Sequence, residues 1–362
     1  SLSACLAQNF PVPRKEKQLL IDVSELNKRD AKTGIQRVVR SLLCELLLNP
    51  PQGYVVRPIY ANNFHIGYRY ADRLRNRYLG KEDDGVSEDA ITTQEGDIFL
   101  GIDLQADVVQ AQKQYLAAQH LNGLKVYFVV YDLLPIALPW AFPPGTDEVH
   151  AKWVREISKY DGIFCISKAV ADHYQVWAAD NIPNLSKEFL VSWFHLGADI
   201  ANSAPTAGLP ENAEETLNQI SSKTSFVLIG TIEPRKGYAQ TLEAFDELWS
   251  QGVDVNLVFV GKQGWLVEEL ISKIQAHPEL NKRLFWLESI SDEYLEKLYH
   301  ASACVVAASF GEGFGLPLIE AASKNIPIFA RDIPVFREVA GDHAFYFTAN
   351  DPKEYAQSVI NW

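Results

Sequence analysis

Methionine is absent from all 362 residues. That is improbable for a natural chain of this length, and any motif interrupted by a lost methionine would read one residue short. No apolar run reaches the length of a membrane span. The start from Ser1 to Arg14 is mixed and punctuated by proline, so no signal peptide is read and a cytoplasmic protein is expected. Cysteine is sparse: Cys5, Cys44, Cys165 and Cys304 lie far apart, with no Cys-x-x-Cys pair and no Cys/His cluster of zinc spacing, which favours reduced structural thiols. Positive charge is in deficit, 33 Lys and Arg against 46 Asp and Glu, for a formal net charge of -13. Nucleic-acid binders concentrate positive charge to displace counterions, so no nucleic-acid partner is expected. Any anionic ligand must be held by local cations.

What is present is ordinary globular material, 47% hydrophobic and 22% charged. The length is that of about two domains at roughly 150 residues each. Short β-branched or aromatic runs, polar turns and helical stretches alternate along the chain, which predicts parallel sheets covered by helices, an α/β fold. Strands are expected at 19–23, 55–60, 97–102, 125–131, 162–166 and 189–194, with helices at 35–48 and 168–177. Ser167 is placed to cap the second of these helices. The acidic, turn-rich stretch 80–96 reads as a mobile loop. The run from Asn202 to Asn212 breaks the alternation and places a domain boundary between an N-terminal domain, 1–199, and a C-terminal domain, 200–362. The second half restarts with strands at 226–229, 256–260, 283–287, 304–307, 326–330 and 344–347. Ligands of open parallel sheets collect at the carboxyl ends of strands, so two such domains facing one another would make a deep cleft.

The most informative stretch is Ser309-Phe310-Gly311-Glu312-Gly313-Phe314-Gly315-Leu316-Pro317-Leu318-Ile319-Glu320-Ala321. It follows an expected strand and opens a helix, with Pro317 in the first turn where a missing N–H costs nothing. Gly313 and Gly315 bare the backbone, so amides at the positive end of the helix could approach a diphosphate. Glu312 and Glu320 flank that turn. A second cluster, Gly230-Thr231-Ile232-Glu233-Pro234-Arg235-Lys236-Gly237, supplies cations from another strand-to-helix turn. A diphosphate gains negative charge as a sugar leaves it, so Arg235 and Lys236 would bind the departing group more tightly than the intact substrate. The plainer readings are a solvated acid and a helix-end carboxylate for Glu312 and Glu320, and a surface pair for Arg235 and Lys236. Gly311-x-Gly313-x-Gly315 lacks the dinucleotide spacing, so a dehydrogenase is set aside, and Lys262 reads as surface.

Together these clusters resemble the retaining GT-B glycosyltransferases, a group that includes bacterial mannosyl- and glucosyltransferases and glycogen synthases. The resemblance covers most of the chain. It rests on the Glu-x7-Glu element from Glu312 to Glu320, enclosing Gly-Phe-Gly-Leu-Pro, and on Glu-Pro-Arg-Lys-Gly at 233–237. It implies a two-domain GT-B fold of Rossmann-like domains and a hexose moved, with retention, from UDP-glucose or GDP-mannose to a saccharide or lipid-linked saccharide, in cell-surface polysaccharide synthesis. It also implies Glu312 on the donor sugar, Glu320 on the ribose and Arg235 with Lys236 on phosphate. Gly313, Phe314, Gly315 and Leu316 would form the donor turn, and Leu287 to Ile290 would hold the base through backbone groups. Thr33-Gly34-Ile35 resembles the family's glycine loop, with Gly34 near the donor phosphates. Tyr131-Asp132 stands where many relatives carry His-Asp, Asp132 offering a catalytic carboxylate; Tyr131 and His195 are candidates for sugar or acceptor contact. For Asp132 and His195 a helix cap or a satisfied core group is the competing reading.

Asp-x-Asp, the usual metal pair of the other glycosyltransferase fold, occurs nowhere, so neither a metal nor another cofactor is expected. Alternatives are a nucleotide-sugar epimerase, a sugar phosphorylase, or a non-catalytic component that binds the nucleotide sugar. The basic and aromatic run Tyr68 to Tyr78 suits sugar stacking or anionic lipid headgroups, with peripheral contact at the inner membrane face, or is an exposed helix face.

Overall fold

The computed structural model describes residues 14–29, 34–82, 88–197 and 208–362. Cys5, Thr33, the middle of the expected loop at 80–96 and most of the expected boundary run lie outside the described residues. The chain divides into two compact units. One draws on Ser1–Tyr131, Ala151–Cys165 and Gln175–Trp193, and the other on Asp132–His150, Ile166–Tyr174 and Phe194–Trp362.

The first unit is built on a seven-stranded sheet of β1 (Lys17–Asp22), β2 (Tyr54–Tyr60), β3 (Arg69–Tyr70), β4 (Ile98–Gly101), β5 (Lys125–Val130), β6 (Gly162–Cys165) and β7 (Leu190–Trp193). Their order is β3-β2-β1-β4-β5-β6-β7. Every pairing is parallel except that of β3, which returns antiparallel along β2. The six expected strands are all present, and β3 is additional.

That extra strand corrects the reading of the basic and aromatic run. Tyr68 and Tyr70 point inward, 1% and 8% exposed, and the Arg57 guanidinium lies 3.9 Å over the Tyr70 ring while pairing with Asp72. Only Arg69, Arg73 and Arg77 of the cluster are exposed, so its first two aromatic rings are core rather than a stacking surface. The large apolar side chains that do face solvent nearby are Phe64 and Ile66. Beyond residue 87 the expected loop is tied down, with an isolated bridge from Ala90 to Arg69 and a Thr92 carbonyl that accepts from Gln18.

The second unit holds a six-stranded parallel sheet of β8 (Ser225–Ile229), β9 (Asn256–Val260), β10 (Leu284–Leu287), β11 (Cys304–Ala307), β12 (Ile328–Arg331) and β13 (Phe345–Phe347). The order is β10-β9-β8-β11-β12-β13. Successive strand residues enter opposite cores: Phe226, Leu228, Leu257 and Phe259 join one apolar cluster, and Val227, Val258 and Val260 the other. Burial on both faces is why these strands read as continuous apolar runs. The chain builds outward from β8 through β9 and β10, then crosses back to β11. The carboxyl ends of β8 and β11 therefore flank a topological switch point, where open α/β sheets take their ligands.

Candidate active site

Both informative motifs leave the sheet at that switch point. After β8 the chain turns through Gly230 and forms a short 3-10 turn at Pro234–Lys236, closed by Gly237 at φ 74°. A Cβ on Gly237 would lie 2.5 Å from the Ala308 carbonyl oxygen, so only glycine lets this turn reach the chain leaving β11. The two loops are then sewn together: Phe310 N–H donates to the Arg235 carbonyl at 2.8 Å, and Arg235 Nη1 donates to the Gly311 carbonyl at 3.2 Å.

The side chains converge on Glu312. One of its carboxylate oxygens accepts from Lys236 Nζ and from Ser309 Oγ, the latter at 2.7 Å, and the other lies 3.1 Å from Arg235 Nη1. Arg235 Nε sits 3.0 Å from Glu233 as well, although that Glu233 oxygen lacks an aligned hydrogen bond. Burial works to raise the Glu312 pKa, but Lys236 and Arg235 outweigh it and bring the carboxyl down to about 2. Burial opposes the charge on Arg235, yet Glu312, Glu233 and Asp132 hold the guanidinium above its ordinary range. Glu233 is pushed up by burial, with Arg235 and Lys236 opposing. A small pocket opens here, its walls including Ile229, Lys236, Ser309, Glu312 and Pro317.

The turn that follows is shaped for close approach. Gly315 has φ 98°, and a Cβ there would meet the Phe336 ring at 2.9 Å. A Cβ on Gly311 would meet Leu134 at 2.6 Å. The helix Leu316–Ser323 starts directly after Gly315, with Pro317 in its first turn. Gly313 and Phe314 are buried, and the Gly313 carbonyl accepts from Ser167 Oγ at 2.7 Å. Ser167 also accepts from Val170 N–H, the cap expected of it. Glu320 lies one helix turn on, where its carboxylate accepts from Tyr299 Oη at 2.8 Å.

Other singled-out residues have different settings. The Leu287 carbonyl accepts from Gly261 N–H at 3.0 Å, and Ile290 packs against an apolar cluster of the unit, just before Ser291 caps the helix Asp292–Ala301. Asp132 caps a short turn by accepting from Leu134 N–H at 2.9 Å, and its charge reaches Arg235. Beside it, His150 and His173 are held below their ordinary pKa by burial, with Asp132 opposing. His195 is bonded to Glu338 at 2.7 Å, with its ring 5.6 Å from that of Phe314. Tyr131 belongs to the first unit, where its ring is 3% exposed and its hydroxyl donates to the Ile102 carbonyl at 2.6 Å; packing takes up the group singled out for sugar contact. Gly34 opens a helix of the first unit, Gly34–Leu48, with open space around its Cα.

Sequence reasoning assigned no role to Glu233, Ser309, Tyr299 or Glu338. The first two stand inside the quoted motifs and were within reach of charge and hydrogen-bond counting. Tyr299 and Glu338 carry no local signal, since their partners are distant in sequence.

Residues 211–362 match the family described as Glycosyl transferases group 1. The chain is 43% identical over 354 residues to a serotype-specific mannosyltransferase WbdA of Escherichia coli, covering 96% of this chain and 42% of that relative. It thus spans less than half the length of this relative. It is also 26% identical over 150 residues to the O-antigen chain mannosyltransferase RfbU of Salmonella typhimurium, 41% of each chain. In fold it resembles Anabaena HepE in complex with UDP (TM-score 0.59, 17% identity, 95% of this chain and 89% of that one). It resembles also the sucrose-phosphate synthase of Thermosynechococcus elongatus (TM-score 0.64, 14% identity, 96% and 89%). With two parallel-sheet α/β units and these structural neighbours, the chain has the GT-B fold, and its residues 211–362 are a group 1 glycosyl transferase domain.

Proposed function

We propose that this chain transfers a mannosyl residue, with retention, from a nucleoside-diphosphate mannose to a saccharide acceptor in polysaccharide synthesis. The observation that carries the reading is the convergence of Arg235 and Lys236 on Glu312 at the switch point, directly before the amide end of the helix Leu316–Ser323. An anion at that end meets two cations and the positive end of the helix dipole together. The choice of mannose follows the mannosyltransferase relatives. GDP-mannose is the favoured donor and UDP-glucose the competing one.

In this reading Arg235 and Lys236 take the diphosphate and bind it more strongly as the sugar departs, so that their contribution is larger in the transition state than in the ground state. Glu312, released from part of its pairing, turns to the hydroxyls of the donor sugar, and Glu320 holds the ribose. The acceptor hydroxyl attacks on the face that the diphosphate leaves, and a phosphate oxygen takes its proton. The positive charge this requires is assigned to Arg235 and Lys236, without a metal.

A thermal-shift panel of nucleotide sugars, followed by acceptor screening and NMR of the product linkage, tests the proposal. Stabilisation by GDP-mannose and a product that keeps the donor's anomeric configuration are expected. An inverted linkage would reject the mechanism, and donor conversion without an acceptor would favour an epimerase.

A further inference from the structure

Glu338 lies on the helix Pro334–Ala340, outside every motif that marks the site. Its two carboxylate oxygens accept from Lys168 N–H and Ala169 N–H, each at 2.7 Å. Those are the first two amides of the helix Lys168–Asn181, among the groups a helix leaves without internal partners. The third, Val170 N–H, is taken by Ser167 Oγ at 3.1 Å. Glu338 also accepts from His195 Nε2 at 2.7 Å.

Both groups that Glu338 organises go on to touch one place. Ser167 spends its hydroxyl proton on the Gly313 carbonyl at 2.7 Å, and the His195 ring lies 5.6 Å from that of Phe314. Gly313 and Phe314 form the turn between Glu312 and the helix Leu316–Ser323. A carboxylate that accepts three hydrogen bonds, two from a helix amino end and one from an imidazole, is held in one orientation. Ser167 caps this helix locally, and Glu338 adds to that cap by taking the first two amides from 170 and 169 residues away.

We propose that Glu338 is a positioning residue for the Gly313–Phe314 turn, acting through Ser167 and His195 to set the backbone that receives the donor diphosphate. The assignment rests on the functional reading above. It gives His195 a place in supporting the donor turn rather than in touching acceptor.

The test is calorimetric binding of GDP and UDP to the whole chain, with melting temperatures measured in parallel. Glu338→Ala and Ser167→Ala are each expected to weaken the better-bound nucleotide about tenfold, as the loss of charge-assisted or buried hydrogen bonds would. Ser167→Thr keeps the hydroxyl and is expected to bind like the wild type. The double variant is expected to be no weaker than the weaker single, because both act on one turn. A lowered melting temperature with unchanged nucleotide affinity would overturn the proposal, and so would losses that multiply in the double variant. If Glu338→Ala does not fold, the Ser167→Ala and Ser167→Thr pair decides, and equal affinity in the two overturns it. A wild-type chain that binds neither nucleotide would instead sink the reading of the site and this inference with it.

Discussion

Lys236 Nζ and Glu312 form an ion pair across 76 residues of sequence, on the same carboxylate oxygen that accepts from Ser309 Oγ. Arg235 occupies the other oxygen and adjoins Glu233. Two acids and two bases thus form a cluster with no net charge, buried enough that each charge is expensive without its partner. A diphosphate that binds the cations must compete with Glu312. On the proposed reading, a diphosphate arriving at the turn that follows would loosen Glu312 from Lys236 and Arg235.

It follows that Glu312→Gln separates binding from turnover. The substitution keeps the shape and leaves Lys236 and Arg235 less neutralised, so GDP or UDP is expected to bind about fivefold to tenfold more tightly, on the order of 1 kcal/mol. Transfer is expected to fall by about 100-fold or more, as when one aligned contact to the reacting group is removed. Calorimetry with the nucleotide and a radiolabelled-sugar transfer assay read the two effects. Weaker nucleotide binding with the glutamine would show that Glu312 does not compete for the cations.

Glu320 and Tyr299 offer a graded comparison. The Tyr299 hydroxyl donates to Glu320 at 2.8 Å and so fixes where the carboxylate points. Glu320→Ala is expected to weaken donor binding by roughly 2–4 kcal/mol through lost charge-assisted bonds to ribose. Tyr299→Phe removes only the orienting bond and is expected to cost about 0.5–1.5 kcal/mol. Donor titrations of the two variants check the order. An effect of Tyr299→Phe as large as that of Glu320→Ala would mean the tyrosine touches donor itself.

The strands of the second sheet were legible because they are buried on both faces, so each is a short β-branched or aromatic run between turns. β3 escaped because Arg69–Tyr70 is two residues long, and its neighbour Tyr68 looked like part of a surface mixture when it is core. Within the site, residue types were legible: glycines for the turn, acids on either side, a cation pair. The pairing was not. Arg235 and Lys236 read as waiting for phosphate, whereas they already hold Glu312, because only the crossover from β10 back to β11, beside β8, brings those turns together. Tyr131 shows the same limit, since nothing in a strand ending in tyrosine says that its hydroxyl is spent on Ile102.

Gly237 tests whether that meeting of turns matters. Its φ of 74° disfavours a side chain, and an added Cβ would sit 2.5 Å from the backbone oxygen of Ala308, which cannot swing away as a side chain could. Gly237→Ala is therefore expected to cost about 2–4 kcal/mol in chemical denaturation. It is expected to weaken nucleotide binding in the folded fraction, because the Arg235 carbonyl and Phe310 amide would be pushed apart. Gly252, past the far end of the helix Tyr238–Ser250, has φ 81° and open space around it, so Gly252→Ala serves as the strain-only control at about 1 kcal/mol. Equal losses from the two would remove the close approach from the account.

The first unit carries a titration of opposite sense to that of Glu312. Asp22 closes β1, 1% exposed, and accepts from Ser24 N–H at 3.0 Å and from Ser24 Oγ. Burial, with Asp103 adding its own charge, outweighs those bonds and raises the Asp22 carboxyl from 3.8 to about 7. A carboxyl whose folded pKa lies above its unfolded one binds more protons in the native state. Its contribution to stability is complete below the unfolded value and declines as pH rises towards the folded one. Stability is thus expected to fall between about pH 4 and about pH 7 on account of this group. Asp22→Asn keeps an oxygen for Ser24 and cannot ionise, so denaturation midpoints of the variant should lose that slope and exceed the wild type most clearly at neutral pH. Parallel wild-type and variant curves across this range would mean that Asp22 stays charged in the fold and that Ser24 outweighs burial.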